Sequence, residues 1–156
     1  MPETAQDVMI RHFGVLSPKD TIAQAVARFR QLSQETGHQV FGMMVTDEAG
    51  KLVGMLSMYD VLLLLRPKHT HIWGEMRDLE LDGLINAACR RAQGYRVGDI
   101  MTTTLTTVAP DTHLMLIIDL MIKKHVRRLP VVEEGRLVGI VYLSQLFAHL
   151  GQKLTG

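Results

Sequence analysis

A set of landmarks occurs twice along this chain, in the same order. Asp7-Val-Met9 recurs as Asp99-Ile-Met101, and Pro18 recurs as Pro110, both 92 residues on. Asp20-Thr21 recurs as Asp111-Thr112 at an offset of 91, because Lys19 has no counterpart, and Gly54 recurs as Gly139 at 85. The spacing slips only where loops are expected. An internal repeat constrains a fold more than any local pattern, because one unit must be built twice.

Within each copy the hydrophobic periods agree. Ile22, Ala25, Val26 and Phe29 fall on one helical face, as do Leu114, Ile117, Ile118 and Met121. Each set follows an Asp-Thr start signal. The first helix is expected to run to about Glu35, with Gly37 stopping it. Strands are expected at Val40–Thr46 and Leu52–Leu56, and again at Leu129–Glu133 and Leu137–Tyr142. Their apolar residues run nearly unbroken, which suits burial on both faces. Closing helices are expected at Met58–Leu65 and Ser144–Gln152, and short leading strands at Gly14–Leu16 and Thr106–Val108. Each copy therefore reads strand, helix, strand, strand, helix. The expected division is residues 1–65, a partly helical linker 66–96, and residues 97–156. In the linker, Leu81, Leu84, Ile85, Ala88 and Ala92 share one face of a helix from about Leu79 to Ala92, with Trp73 and Met76 as packing anchors.

Composition narrows the function. The 156 residues are 47% hydrophobic and 21% charged, a globular balance. A net charge of +1 gives no broad basic field for nucleic acid. The lone Cys89 excludes an internal disulfide and any Cys-x-x-Cys metal site, and it suits a reducing cytoplasm; on or next to the apolar face of the linker helix, it reads as a buried, inert thiol. The first seven residues carry two acids and no apolar stretch, unlike a secretory signal. The longest apolar run, Val61–Leu65, is far below the ~20 residues of a membrane span. His69 and His71 lack further ligands nearby and read as linker histidines rather than a metal site. No Gly-x-Ser-x-Gly elbow, phosphate-binding loop or His-Glu-x-x-His occurs, so no enzyme is expected.

Two stretches concentrate the remaining chemistry. Gly54–Asp60 and Gly139–Gln145 each read as a strand turning abruptly into a helix. Such a junction gathers free backbone N–H groups and a positive dipole end. The first carries Ser57 and Asp60; the second has Tyr142 and Gln145 there. Ser57-x-x-Asp60 is equally a helix-capping pattern, and the two roles are compatible.

The second copy, from Val97-Gly-Asp-Ile-Met101 through Val126-Arg-Arg-Leu-Pro-Val-Val132 to Gly139-Ile-Val141, resembles a cystathionine-β-synthase (CBS) domain. The first copy resembles a more divergent one. The resemblance implies an α/β (α+β) fold in which two pseudo-twofold related β-α-β-β-α repeats form one CBS-pair module. It also implies a ligand containing adenosine: AMP, ADP, ATP or S-adenosylmethionine. Family members carry Gly-x-x-Ser/Thr-x-x-Asp, whose Asp holds the ribose and whose Ser/Thr holds phosphate; here these are Asp60 and Ser57, with Leu56 beside them. The resemblance adds Thr104, Leu105 and Thr106 from the other repeat, and Arg127 and Arg128 before a second strand, for phosphate. The matching place in the first copy falls around His38–Val40, without a fixed positive charge.

The expected function is thus a regulatory module that senses an adenosyl ligand and signals to an effector protein on another chain. No cofactor, metal, nucleic acid or membrane is required. The aliphatic closing helices point to a homodimer. The alternative is a structural or oligomerisation module with a vestigial pocket, which Tyr142 and Gln145 favour.

Overall fold

The computed structural model describes residues 3–66 and 78–156, the side chains of 78–80 excepted. Pro67, His69, His71, Trp73 and Met76 lie outside the described residues. The elements are α1 (Ala5–Val8), β1 (Val15–Leu16), α2 (Ile22–Thr36), β2 (Gly42–Thr46), β3 (Leu52–Ser57), α3 (Met58–Leu65), α4 (Asp78–Gln93), α5 (Val97–Ile100), α6 (Leu114–Lys124), β4 (Arg128–Glu133), β5 (Arg136–Tyr142) and α7 (Leu143–Thr155). The mixed α+β class and the doubled order of elements agree with the sequence pattern.

Local chemistry accounts for most boundaries. Thr21 caps α2 by accepting from Gln24 N, and Gly37 closes the helix at φ 73°. Ile22, Ala25 and Phe29 are the residues α2 buries, as its period requires. The linker helix α4 buries Ala88 and Ala92. Two expectations about it are corrected: Ile85 is 59% exposed and Cys89 is also exposed. The buried stripe passes through Ala88, and Cys89 stands ~100° round the helix from it. The expected strand Thr106–Val108 reduces to one parallel bridge, Val108 to Val131. Just beyond it Ala109 N donates to Thr112 Oγ1 at 2.8 Å, and the chain turns away.

The chain forms two compact units: residues 15–45 with 53–103, and residues 1–14 with 46–52 and 104–156. Neither is one sequence copy. The first, the β1–β3 unit, contains α5, which in sequence opens the second copy. Its sheet has the order β1-β2-β3, with β1 parallel to β2 through Val15–Met44 and Leu16–Val45. Its core holds Leu16, Ile22, Ala25, Phe29, Met43, Val45, Leu56 and, from α5, Val97.

The other, the β4–β5 unit, pairs β4 with β5 antiparallel from Arg128–Tyr142 to Glu133–Arg136. Its core takes Ala5, Val8 and Met9 from the first copy, together with Leu114, Ile117, Leu129, Val131, Val141 and Leu146.

The exchange is made by the Asp-x-Met motif. Met55 and Thr102 trade backbone hydrogen bonds of 2.9 and 2.8 Å, and Ile10 and Ile140 trade bonds of 2.8 and 3.0 Å. Beside each bridge a methionine lies on a glycine. A Cβ at Gly54 would stand 2.6 Å from Met101 Sδ, and one at Gly139 would stand 2.6 Å from Met9 Sδ. The recurring glycine thus admits the thioether of the recurring methionine.

Candidate functional site

In the β1–β3 unit the strand-to-helix junction is sharp: β3 ends at Ser57 and α3 begins at Met58. Ser57 Oγ accepts from Asp60 N at 3.1 Å, and Asp60 Oδ2 accepts from Ser57 N at 3.0 Å. This reciprocal capping box satisfies two helix-end donors. It leaves the Ser57 hydroxyl proton to donate elsewhere and Asp60 Oδ1 to accept. The Thr102 hydroxyl faces that carboxylate, 3.4 Å from Oδ1 and 3.5 Å from Oδ2, longer than a well-formed O–H···O bond. Met58 N donates to the carbonyl of Phe41 at 2.8 Å, so the residue before β2 stands at the helix start. Met58 packs against the core of this unit, whereas Tyr59 is 70% exposed. Leu56 is fully buried in the same core.

The corresponding junction in the β4–β5 unit differs in chemistry. Tyr142 caps α7 without a side-chain hydrogen bond, because its phenol cannot reach back as a serine hydroxyl does. Leu143 N donates to the carbonyl of Arg127 at 2.8 Å, as Met58 N does to Phe41. The bonds set the register: Arg127 corresponds to Phe41, and Arg128 to Gly42. The expected match at His38–Val40 is therefore corrected, since the loop after α2 is longer than the turn after α6. Arg128 is half-buried and pairs across the ladder with Tyr142. Burial lowers the Arg128 pKa and raises that of Tyr142. Arg127 is exposed and lines a 560 Å³ apolar groove with Ile118, Ile122, Leu143 and Phe147. Gln145 lines a polar cavity of 390 Å³ with Asp7, His149 and Gln152.

The expected residues thus divide between the two units. Leu56, Ser57 and Asp60 lie in the β1–β3 unit; Thr104, Leu105, Thr106, Arg127 and Arg128 lie in the other. Thr104 is exposed, and Leu105 and Thr106 are half-buried. Sequence reasoning missed Thr102 and Phe41. A signal for Thr102 existed: the Asp-x-Met repeat continues into it, and its counterpart in the first copy is Ile10. The signal for Phe41 was hidden by the misplaced register. Among the described residues no helix is long and apolar enough to cross a membrane.

The CBS domain family model matches residues 5–67 and 97–151. The chain is 31% identical over 134 residues to the chloroplastic CBS domain-containing protein CBSX1 of Arabidopsis thaliana, covering 81% of this chain. It spans 54% of that relative's length. It is 29% identical to CBS domain-containing protein YhcV of Bacillus subtilis, covering 92% of this chain and 82% of YhcV. The crystal structure of CBSX2, an Arabidopsis thaliana CBS-pair protein, in complex with AMP superposes with a TM-score of 0.68 at 29% identity. That match covers 98% of each chain. With two copies of the motif and a family match over most of its length, the chain belongs to the CBS domain family as a tandem pair.

Proposed function

We propose that this chain is a regulatory module that binds an adenosine-containing ligand at the Asp60 junction and signals its presence to a partner protein. The observation that carries this reading is the capping box itself. It holds Asp60 and Ser57 rigidly while leaving Oδ1 and the serine proton available. A carboxylate oxygen can accept from ribose hydroxyls, and a hydroxyl can donate to phosphate. The AMP complex of CBSX2 supports an adenine nucleotide as the ligand class. AMP, ADP, ATP and S-adenosylmethionine are the compounds to distinguish. Thr104, Leu105 and Thr106 are further contacts proposed for the ligand, and Arg127 and Arg128, which precede the second strand of their own repeat, are the contacts proposed there for phosphate. Signalling would follow from differential affinity for two arrangements of the protein, and no more energy than that difference is available.

A homodimer is part of the proposal. On α3, Leu62 is 62% and Leu63 is 42% exposed; on α7, Phe147 is 67% and Leu143 is 45% exposed. Apolar faces of this kind mark interfaces, and the closing helices of both repeats present them. The cytoplasm, where a lone thiol stays reduced, is the compartment proposed.

The test is thermal unfolding with AMP, ADP, ATP, S-adenosylmethionine and NAD. Ligand at ~100 times its dissociation constant adds ~2.7 kcal/mol of stability, a shift of several degrees. No shift with any adenosyl compound would instead support a structural, oligomerising module, the reading that Tyr142 and Gln145 favour.

A further inference from the structure

The equivalent bonds from Met58 N to Phe41 and from Leu143 N to Arg127 show what each repeat places beside its closing helix. One repeat presents a guanidinium followed by Arg128; the other presents a phenyl ring followed by Gly42, buried and without a side chain. Phe41 is 49% exposed, although it immediately precedes a strand whose next four residues are all buried. An aromatic residue held half in solvent, whose carbonyl bonds the first turn of the helix that carries Asp60, offers a face rather than a charge.

The described arginines and lysines of the same unit stand on other elements. Arg28 and Arg30 are on α2, Arg66 caps the far end of α3, and Arg90 and Arg91 end α4. Lys19 and Arg96 meet each other, the Arg96 guanidinium donating to the Lys19 carbonyl. His38 is the nearest ionisable residue before Phe41 in sequence.

We propose that Phe41 is a specificity-determining contact of the Asp60 site. It stacks on the base or sugar of the ligand where the other repeat would pair with phosphate. The site then selects the nucleoside portion, so adenosine and AMP bind comparably and further phosphates add nothing. This rests on the reading of Asp60 as a ribose contact. Phe41 is exposed, so its replacement leaves the core intact, and the effect on binding can be read without loss of fold.

Calorimetry with adenosine, AMP and ATP on the wild type, Phe41→Ala, Phe41→Trp, Phe41→Arg and Asp60→Ala tests it. The wild type is expected to bind adenosine and AMP within about threefold. Stacking on an aromatic side chain is a large term for a nucleobase, so Phe41→Ala should weaken all three ligands by roughly five- to a hundredfold. Phe41→Trp should retain affinity, and Phe41→Arg should shift preference toward ATP. Wild-type affinity for adenosine in Phe41→Ala would overturn the proposal while leaving the Asp60 site standing, as would wild-type protein binding ATP more than tenfold tighter than adenosine. Absence of binding by all three to the wild type would overturn this proposal, and the same silence from S-adenosylmethionine and NAD would overturn the Asp60 reading as well.

Discussion

At the scale of single residues, Asp60 has two jobs that a measurement can separate. It closes the capping box of α3 through Oδ2, and it presents Oδ1 toward Thr102. Hydrogen bonds to a charged group contribute ~1.5–3 kcal/mol, so Asp60→Ala is expected to weaken ribose-containing ligands roughly ten- to a hundredfold. Losing its part of the cap should cost about 1 kcal/mol of stability as well. Gln145→Ala removes a neutral group and should change binding much less. Calorimetry beside urea unfolding reads both effects; equal loss of affinity in the two variants would contradict the assignment. The glycines make a second residue-scale case. At Gly54 an added Cβ would meet Met101 Sδ at 2.6 Å and the Thr102 carbonyl at 3.0 Å. The thioether can swing aside, but the carbonyl belongs to the bridge with Met55. Overpacking of this kind costs ~1–3 kcal/mol. Gly54→Ala should lower the urea midpoint by a corresponding amount, and Gly139→Ala, over Met9, should do the same.

Among the elements, α1 depends on a contact at its own N-terminal side. Glu3 Oε1 accepts from His149 Nε2 at 2.8 Å and from Lys153 Nζ at 3.4 Å, tying the start of the chain to α7. The hydrogen bond from His149 is the leading cause that holds the Glu3 carboxyl below its ordinary value. A depressed carboxylate pKa adds stability above the unfolded value, and that stability is lost as pH falls through the folded one. The Glu3 side chain is partly exposed and screened by solvent, so the effect is local. Amide exchange at Ala5, Gln6 and Met9 should speed up in acid relative to the core strands. Glu3→Gln should loosen the segment at neutral pH and flatten that dependence. An unchanged exchange profile in Glu3→Gln would show that the ion pair does not hold α1. The two closing helices contrast in the same way: α3 has a side-chain cap and α7 has none.

For the whole molecule, the exchange of α1 and α5 makes each compact unit depend on both halves of the chain. A fragment of residues 97–156 would lack Ala5, Val8 and Met9, three members of its core. Val8 and Met9 would each contribute about 1.5–3 kcal/mol when buried, and the Ala5 methyl group less than about 1 kcal/mol. The fragment should therefore unfold at markedly lower urea than the intact chain, and a peptide of residues 3–14 should restore it. A fragment as stable as the intact chain would mean that α5 can take the place of α1. The proposed dimer is tested at this scale too. Sedimentation at micromolar concentration should give twice the 17.5 kDa chain mass, and Leu62→Glu with Phe147→Glu should give a monomer, since a charge at each apolar face cannot be desolvated cheaply.

What the sequence determined by itself is local or periodic. The bounds of α3, the stop of α2 at Gly37, the buried faces of α2 and α6, and the Ser57–Asp60 box all follow from capping chemistry and helical spacing within a few residues. The doubling of the unit was legible for the same reason, since each landmark carries its own local signal. The tertiary structure decided what depends on partners far apart in the chain. Which repeat α1 and α5 join, why Gly54 and Gly139 are glycine, and that Thr102 faces Asp60 are set by contacts between segments dozens of residues apart. Cys89 was misread because one residue of helical phase separates a core position from an exposed one. Phe41 was missed because loops of unequal length shift the register of the repeats, and only the backbone bonds from Met58 and Leu143 restore it.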